Sequence, residues 1–458
     1  MNLPIDAAIA ATSATLLDGA AAPPSLRMST DTRTILPGDT FLALRGERFD
    51  AHDFVAEAVR RGAGMIVVDR PQARVPGAAT MLVRDTQAAY MALAAAARAL
   101  FHGRVVGITG STGKTTTKAF LTKVLAEKFG DRIAATHSNE NNEIGVSKLL
   151  LSASNEEHDV LVIEMGARHF GDVEVLVDIA RPEIGILTNV GDAHVEIMGS
   201  RERLEATKWA LFARGAAAIL NASDEVSRRR APMLAGSPHW FAAEDASSLD
   251  LPPSGSSYTV LGKNRLSYRS PTEHVEIDVD VRVPGWHNRA NLAAAISAAT
   301  ELGVPLPEIA ACIPDLQLPG GRYDRLTLHG IRIIYDAYNA NANGMIAALD
   351  AFAGEAAARR IAVLASMAEL GDESPSLHER VGAHAAARVD MLLVSGEYAA
   401  DLTRGARRGG LSERQIVQIA TNAEAARWLR EHVSDDDVVL LKGSRKYKLE
   451  EIVEELRT

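Results

Sequence analysis

The chain reads as an α/β protein of three domains: a small N-terminal α/β domain, a central P-loop-type parallel sheet with an antiparallel appendage, and a C-terminal Rossmann-like domain. Three observations predict this. From Arg104 onward short apolar runs alternate with helical stretches, the pattern of a parallel sheet covered on both faces. After Pro319-Gly320-Gly321 the same alternation starts again. Between a buried strand and a helix, Arg104 to Thr116 supplies a glycine-rich turn. At 458 residues the chain exceeds what one core supports, and the breaks in pattern divide it at 1–100, 101–317 and 318–458.

In the first domain, strands are expected at Thr40–Leu44, Met65–Val68 and Met81–Val83, with helices at Asp53–Arg61 and Thr86–Leu100. Ser29-Thr30-Asp31-Thr32-Arg33 precedes the turn Pro37-Gly38-Asp39. Polar residues with an Arg in such a loop suit either a diphosphate or uracil edge, or an Asx-type turn with a surface Arg.

The central domain opens on the phosphate loop. Its turn reads G-x-T-G-x-x-G-K-T from Gly107, through Thr109, Gly110, Ser111, Thr112, Gly113, Lys114 and Thr115 to Thr116. The strict P-loop pattern would need Gly where Ile108 stands. Backbone N–H groups and the helix dipole favour phosphate there, Lys114 reaches terminal phosphates, and Thr115 offers a hydroxyl to magnesium. Phe120, Leu121, Val124 and Leu125 form the inner face of the helix.

Further strands are expected at Val160–Ile163, Ile184–Thr188 and Ala217–Leu220, with polar residues where they end. Glu164 is a candidate second group for magnesium, against its reading as a solvated strand-end carboxylate. His194, beyond Thr188-Asn189, suits loop hydrogen bonding or ligation. Lys208 reads as a solvated helix lysine. Alternation from Tyr258 to Val283 predicts the antiparallel appendage. A helix over Trp286–Leu302 follows, closed by Gly303. His287 and Asn291 share one face of it, for packing or for ligand contact.

In the third domain strands are expected at Ile331–Tyr335, Ile361–Leu364, Met391–Val394, Ile416–Ile419 and Val438–Leu441. Three polar loops follow strands directly: Asp336-Ala337-Tyr338-Asn339-Ala340-Asn341, Met367-Ala368-Glu369-Leu370-Gly371, and Lys442-Gly443-Ser444-Arg445. Two doubly wound units side by side predict a cleft that closes on substrate, with the Gly320 linker as hinge.

Net charge of −10 with no long basic run argues against nucleic-acid binding. The single cysteine, Cys312, excludes an internal disulfide framework and a cysteine-based zinc site. No run of about 18 apolar residues predicts membrane insertion, and no secretory leader is evident, so a cytoplasmic location is expected. The residues by themselves lead to a magnesium–ATP enzyme with a bipartite cleft.

Taken together, these motifs resemble the Mur ligase family, most closely its MurF type, over nearly the whole chain. Ser29 through Arg33, with Leu44-Arg45-Gly46 through Asp50-Ala51-His52, is similar to the family's uridine-diphosphate pocket; the resemblance implies that Ser29, Asp31, Arg33, Gly46 and His52 bind substrate. Gly107 to Thr116 matches the family's own ATP loop, which accounts for Ile108. Asn139 through Gly145, with Asn141 and Asn142 as substrate contacts, then Glu164-Met165-Gly166 and Thr188 through Glu196, follow in the family's order. His287, Asn291 and Arg322 are implied adenine and phosphate contacts, joined at ATP by Asp336. Asn339, Asn341, Lys442 and Arg445 are implied substrate contacts. Ala51, Ala342 and Ala210 stand where the family usually has Gly, Pro and Glu.

The resemblance implies an ATP-dependent ligase joining D-alanyl-D-alanine to a UDP-N-acetylmuramoyl tripeptide through an acyl phosphate. Its implied catalytic set is Lys114, Glu164, His194 and Lys208. Two magnesium ions would be held by Thr115, Glu164, His194 and a carbamate on Lys208, and the protein is expected to be a monomer. A relative adding a single amino acid and a catalytically silent nucleotide-binding module are the alternatives; an Asp-Asn-Pro-Arg signature for a diaminopimelate donor is absent.

Overall fold

The computed structural model describes residues 2–17, 22–46, 49–191, 195–244 and 256–457. The first domain carries a five-stranded sheet in the order Thr15–Leu17, Ala79–Leu82, Met65–Val68, Thr40–Leu42, Met28–Ser29. All its pairings are parallel except the one made by Thr15–Leu17. The first expected strand, Thr40–Leu44, ends at Leu42, because Leu44 N–H turns back onto the Leu42 carbonyl. In place of one helix over Asp53–Arg61 there is a 3₁₀ turn at Ala51–Phe54 and a helix at Val55–Arg60.

The helix Thr86–Leu100 has the bounds expected of it, with the Asp85 carboxylate accepting from Ala88 N–H. Its apolar face, Tyr90, Leu93, Ala94 and Ala97, packs on the helices Glu143–Ser152 and Asp172–Ala180 of the central domain. The first two domains thus share one core. Arg98 reinforces the junction by donating to the carbonyls of Ala180, Phe101 and Arg181.

The central sheet has nine strands, in the order His274–Asp278, Arg265–Arg269, Ser257–Leu261, His239–Ala243, Ala217–Asn221, Ile184–Leu187, Arg104–Thr109, Val160–Glu164, Ile133–Ala135. The expected appendage is therefore an extension of this sheet. Ser257–Leu261 pairs in parallel with His239–Ala243, and only the last two pairings are antiparallel. The alternation through Val283 outlasts its strand. Val279, Val281 and Val283 lie past the end of the strand His274–Asp278 and are buried in the same apolar cluster as the Ala-rich helix Trp286–Glu301. Gly303 closes that helix at φ +77°.

The third domain is doubly wound: Asp324–Leu328, Ile331–Tyr335, Val438–Lys442, Arg360–Ala365, Met391–Ser395, Ile416–Gln418. Apart from the first hairpin, all pairings are parallel, and apolar cores cover both faces. The last strand of the chain lies between Ile331–Tyr335 and Arg360–Ala365. This brings the loops after three adjacent strands to one carboxyl edge, where open α/β sheets bind ligands.

Candidate active site

The turn from Gly110 to Gly113 has a backbone that cannot accept side chains. Gly110 has φ +145°, and a Cβ there would lie 1.9 Å from Thr188 Oγ1. Gly113 has φ +84°, and a Cβ there would lie 2.3 Å from Asn291 Oδ1. The neighbouring strand end clamps the loop. Asn189 Oδ1 accepts from both the N–H and the hydroxyl of Thr112 at 3.1 Å, and Thr188 Oγ1 donates to the Thr112 carbonyl at 2.5 Å. Thr109 Oγ1 ties the strand to the Met165 carbonyl at 2.8 Å. Ser111 Oγ accepts from Gly191 N–H at 2.9 Å, and Thr116 is buried in the first helical turn.

Glu164 ends its strand 2 % exposed, not solvated. Its Oε1 accepts from Thr115 Oγ1 at 3.1 Å and from Asn141 Nδ2 at 2.9 Å. Its Oε2 faces Lys118 Nζ at 3.1 Å. Burial pushes this carboxyl up, but the Lys118 and Lys114 cations and the Asn141 amide outweigh it, so the group is held below the usual range and is anionic. Lys118 also donates to the carbonyls of Thr136 and Ser138, at 2.7 and 2.9 Å, and so anchors the loop carrying Asn141. Lys118 was not singled out in the sequence; a lysine one helical turn beyond Lys114 reads as surface.

Lys114 Nζ donates to the Gly110 carbonyl at 2.8 Å, folded back over the loop. Burial lowers its pKa; Arg322 lowers it further, and Glu164 opposes both.

Lys208 overturns its reading as a solvated lysine. It is 1 % exposed, and its Nζ has no hydrogen-bond partner among the described residues. Burial, with nearby Lys114 adding to it, drives its pKa well below the ordinary value. Ala210, two residues on, caps the end of this helix. His194 lies outside the described residues.

The cleft, of about 1070 Å³, is lined by residues of the central and third domains and by Gln87 and Met91 of the first. Facing the phosphate loop are His287, Asn291, Arg322, Asp336, Asn339, Asn341 and Lys442. His287 Nδ1 is buried without a partner among the described residues; burial, with Lys442 and Arg289, pushes this imidazole down to about 3, so it is neutral. The Arg322 guanidinium lies 4.2 Å from the centre of the Tyr338 ring. Asp336 pairs with Lys442 at 2.8 Å. Asn142 and Asn341 line the cleft but spend their Oδ1 atoms as helix caps, on Gly145 and Gly344 N–H. Asn339 Oδ1 accepts from Ala340 N–H. Arg445 does not line the cleft; it pairs with Glu450 at 3.1 Å at the surface.

Ser29, Asp31, Arg33, Gly46 and His52 form a separate group beyond the carboxyl ends of adjacent strands in the first domain. Asp31 accepts from Arg33 N–H and pairs with its guanidinium at 2.7 Å, which holds its carboxyl below the usual range. Gly46 N–H donates to the Phe49 carbonyl. His52 is buried between Asp50, at 2.6 Å from Nδ1, and Asp69 N–H, which donates to Nε2 at 3.2 Å. Ala51 lacks a positive φ, so the position does not demand Gly. Ala342 stands at the first position of its helix, where Pro fits equally well.

With this geometry in place, the domain matches fall on the observed units: the Mur ligase family catalytic domain over residues 27–99, the middle domain over 108–299 and the glutamate ligase domain over 321–445. The chain is 35 % identical over 435 residues to the UDP-N-acetylmuramoyl-tripeptide–D-alanyl-D-alanine ligase of Synechocystis, covering 93 % of this chain and 91 % of that one.

The chain belongs to the Mur ligase family, MurF type.

The ligase of the same name from Escherichia coli is 34 % identical, over 94 % of this chain and 93 % of that one. Among solved structures, MurF from Acinetobacter baumannii superposes with a TM-score of 0.85 at 28 % identity, covering 100 % of this chain and 99 % of that one. MurF from Thermotoga maritima, solved with ADP, gives 0.77 at 27 %, covering 94 % and 97 %. As a Mur ligase, the chain is an ATP-dependent enzyme, and its three domains are those of the family.

Proposed function

We infer that this chain joins D-alanyl-D-alanine to a UDP-N-acetylmuramoyl tripeptide at the expense of ATP in peptidoglycan precursor synthesis. The observation that carries this reading is the match to the MurF type along nearly the whole chain; the glycine-restricted turn at Gly110–Gly113 and the burial of Glu164 and Lys208 support it.

The peptide carboxylate attacks the γ-phosphorus of ATP, ADP leaves, and an acyl phosphate forms. The donor amine then attacks the acyl carbon; the C–N bond forms as the C–O bond to phosphate breaks, and the amine gives up a proton. The first step brings an anion to a polyanion, so fixed positive charge must be present before reaction. Lys114 and the loop N–H groups supply it from the central domain, and Arg322 and Lys442 from the opposite wall. Closure of the third domain orients the amine and keeps water from the acyl phosphate.

Thr115 Oγ1 and Glu164 Oε1, 3.1 Å apart with the carboxylate anionic, fit the oxygen-donor preference of magnesium. Bound there, magnesium would neutralise phosphate charge. A second ion is part of the reading, with His194 and Lys208 toward it. Burial favours the uncharged amine of Lys208, the form that adds CO₂, releasing a proton and becoming a carbamate, which would turn a would-be cation into an oxygen donor. Ser29, Asp31, Arg33, Gly46 and His52 are the proposed uridine-diphosphate side, and Asn339, Asn341 and Lys442 the donor side, with Arg445 outside the cleft. No helix of the described residues is long and apolar enough to cross a membrane, and we read the enzyme as a cytoplasmic monomer.

The test is incubation with ATP, magnesium and a UDP-muramoyl tripeptide, offering D-alanyl-D-alanine against single amino acids, with products read by mass spectrometry. Addition of the dipeptide is expected. Equal use of single amino acids would leave a Mur ligase of another type; no ADP with any pair would leave a silent nucleotide-binding module.

A further inference from the structure

In the third domain His378 is completely buried, yet the steps above do not use it. Its Nδ1 lies 2.6 Å from the Ser374 carbonyl and its Nε2 2.8 Å from Met367 N–H. A carbonyl only accepts and an N–H only donates, so one tautomer satisfies both: neutral, with the proton on Nδ1. The ring stacks on Tyr398, centroids 4.6 Å apart. Tyr398 N–H in turn donates to Ser366 Oγ, and Ser366 N–H to the Ser395 carbonyl. His378 therefore closes a set of bonds around the start of the Met367–Gly371 loop.

That loop needs holding. Glu369 takes φ +63°, a left-handed backbone that costs a non-glycine residue about 1–2 kcal/mol. Ala368 N–H is tied to Ser444 Oγ, which also reaches the Ala340 carbonyl, so all three carboxyl-edge loops are bonded together. The far end of the loop crosses to the central domain. Gly371 N–H donates to Glu196 Oε2 at 3.2 Å, and Arg168, which lines the cleft, faces Glu369 at 3.9 Å. A Cβ on Gly371 would come within 3.1 Å of Glu196 Cβ, so the approach is close.

We propose that His378 is a positioning residue for ligation, holding the Met367–Gly371 loop in the one shape that docks on Glu196 and Arg168 and so sets the third domain against the reaction centre. His378 touches no substrate; it acts through the loop. The proposal rests on the ligase reading only for its activity readout.

The test is a double-substitution cycle between His378→Phe, which keeps the ring stack and removes both hydrogen bonds, and Glu196→Ala at the other end of the loop. Each single change is expected to lower kcat about 10- to 100-fold while ATP affinity, measured calorimetrically, stays within twofold. The double variant should be no worse than the poorer single one, because the two residues serve one contact. His378→Gln, which retains an acceptor for Met367 N–H, should recover part of the rate and stands in if the Phe variant does not fold. Hydrogen exchange at the Met367–Gly371 amides should quicken in the His378 variants, a readout that survives even if the wild-type chain ligates nothing. Multiplying rate losses, equal loss of ATP affinity, or unchanged exchange in that loop would overturn the proposal.

Discussion

Replacing Lys208 with Met separates chemistry from stability. The lysine is 1 % exposed, its Nζ has no partner among the described residues, and its pKa is depressed chiefly by burial. An unpaired buried polar group costs about 1–3 kcal/mol, and Met fills similar space without one. Lys208→Met is therefore expected to be more stable than the parent by about 1–2 kcal/mol, seen as a higher urea midpoint at unchanged slope. Activity should move the opposite way. Loss of one group acting on developing phosphate charge costs about 10²–10³-fold in kcat, as read by ADP release. The pH dependence follows from the same burial. The unfolded chain holds the Lys208 proton up to its ordinary value of 10.5, whereas the folded chain releases it at lower pH. Where the unfolded state binds more protons, stability rises with pH. Between the lowered folded value and 10.5, parental stability should climb with pH more steeply than that of Lys208→Met. If a carbamate forms, Lys208→Ala should lose ligation and short carboxylates such as acetate should restore part of it. A Met variant less stable than the parent by about 2 kcal/mol or more, or one that ligates at the parental rate, would refute the reasoning.

Other outcomes follow from the same geometry. Lys114→Ala should lower turnover at least about 10²-fold, and near-normal turnover at saturating ATP would remove the phosphate-loop assignment. Gly110→Ala forces a Cβ to within 1.9 Å of Thr188 Oγ1 at a φ of +145°; nucleotide affinity by calorimetry should fall about tenfold or more, in line with about 1–2 kcal/mol of backbone strain. For Asp437, burial raises the pKa, but the Arg359 and Ser434 hydrogen bonds outweigh it and hold the carboxyl down to about 2. Its contribution to stability is complete above 3.8 and is lost as pH falls toward 2, so Asp437→Asn should flatten the acid limb of a stability–pH curve. If Gly320 and its neighbours are a hinge, small-angle scattering should show compaction with nucleotide plus both substrates, starting from a form shown to be open.

Much of the site was legible because local chemistry dictates it. The phosphate loop needs glycine where φ is positive and a helix directly after, and both requirements are written in consecutive residues from Gly110 to Lys114. Glu164 stood out as a candidate because it terminates an apolar run, and strand ends are where α/β sheets expose function. What stayed hidden has no local signature. The strands Leu3–Pro4 and Ser25–Leu26 are two residues each, too short for any periodicity to register. The valine alternation through Val283 looks like strand, yet its last members lie past the strand end, in the apolar cluster that also holds the helix Trp286–Glu301. Arg445 was grouped with Lys442 by proximity in sequence, but a 3₁₀ turn carries it away from the cleft.

The sequence by itself determined the α/β class, because hydrophobic period, glycine conformation and strand-end position are properties of neighbouring residues. Only the tertiary structure decided which ionisable groups are in water. Lys118 and Lys208 sit on helices with polar neighbours, and nothing local distinguishes them from surface lysines. One becomes the counter-charge of Glu164, and the other lies in an interior that lowers its pKa. The tautomer of His378 was settled in the same way, by a carbonyl on one side and an N–H on the other. Burial and partner choice depend on which distant segments pack together, and that is information no short window of sequence contains.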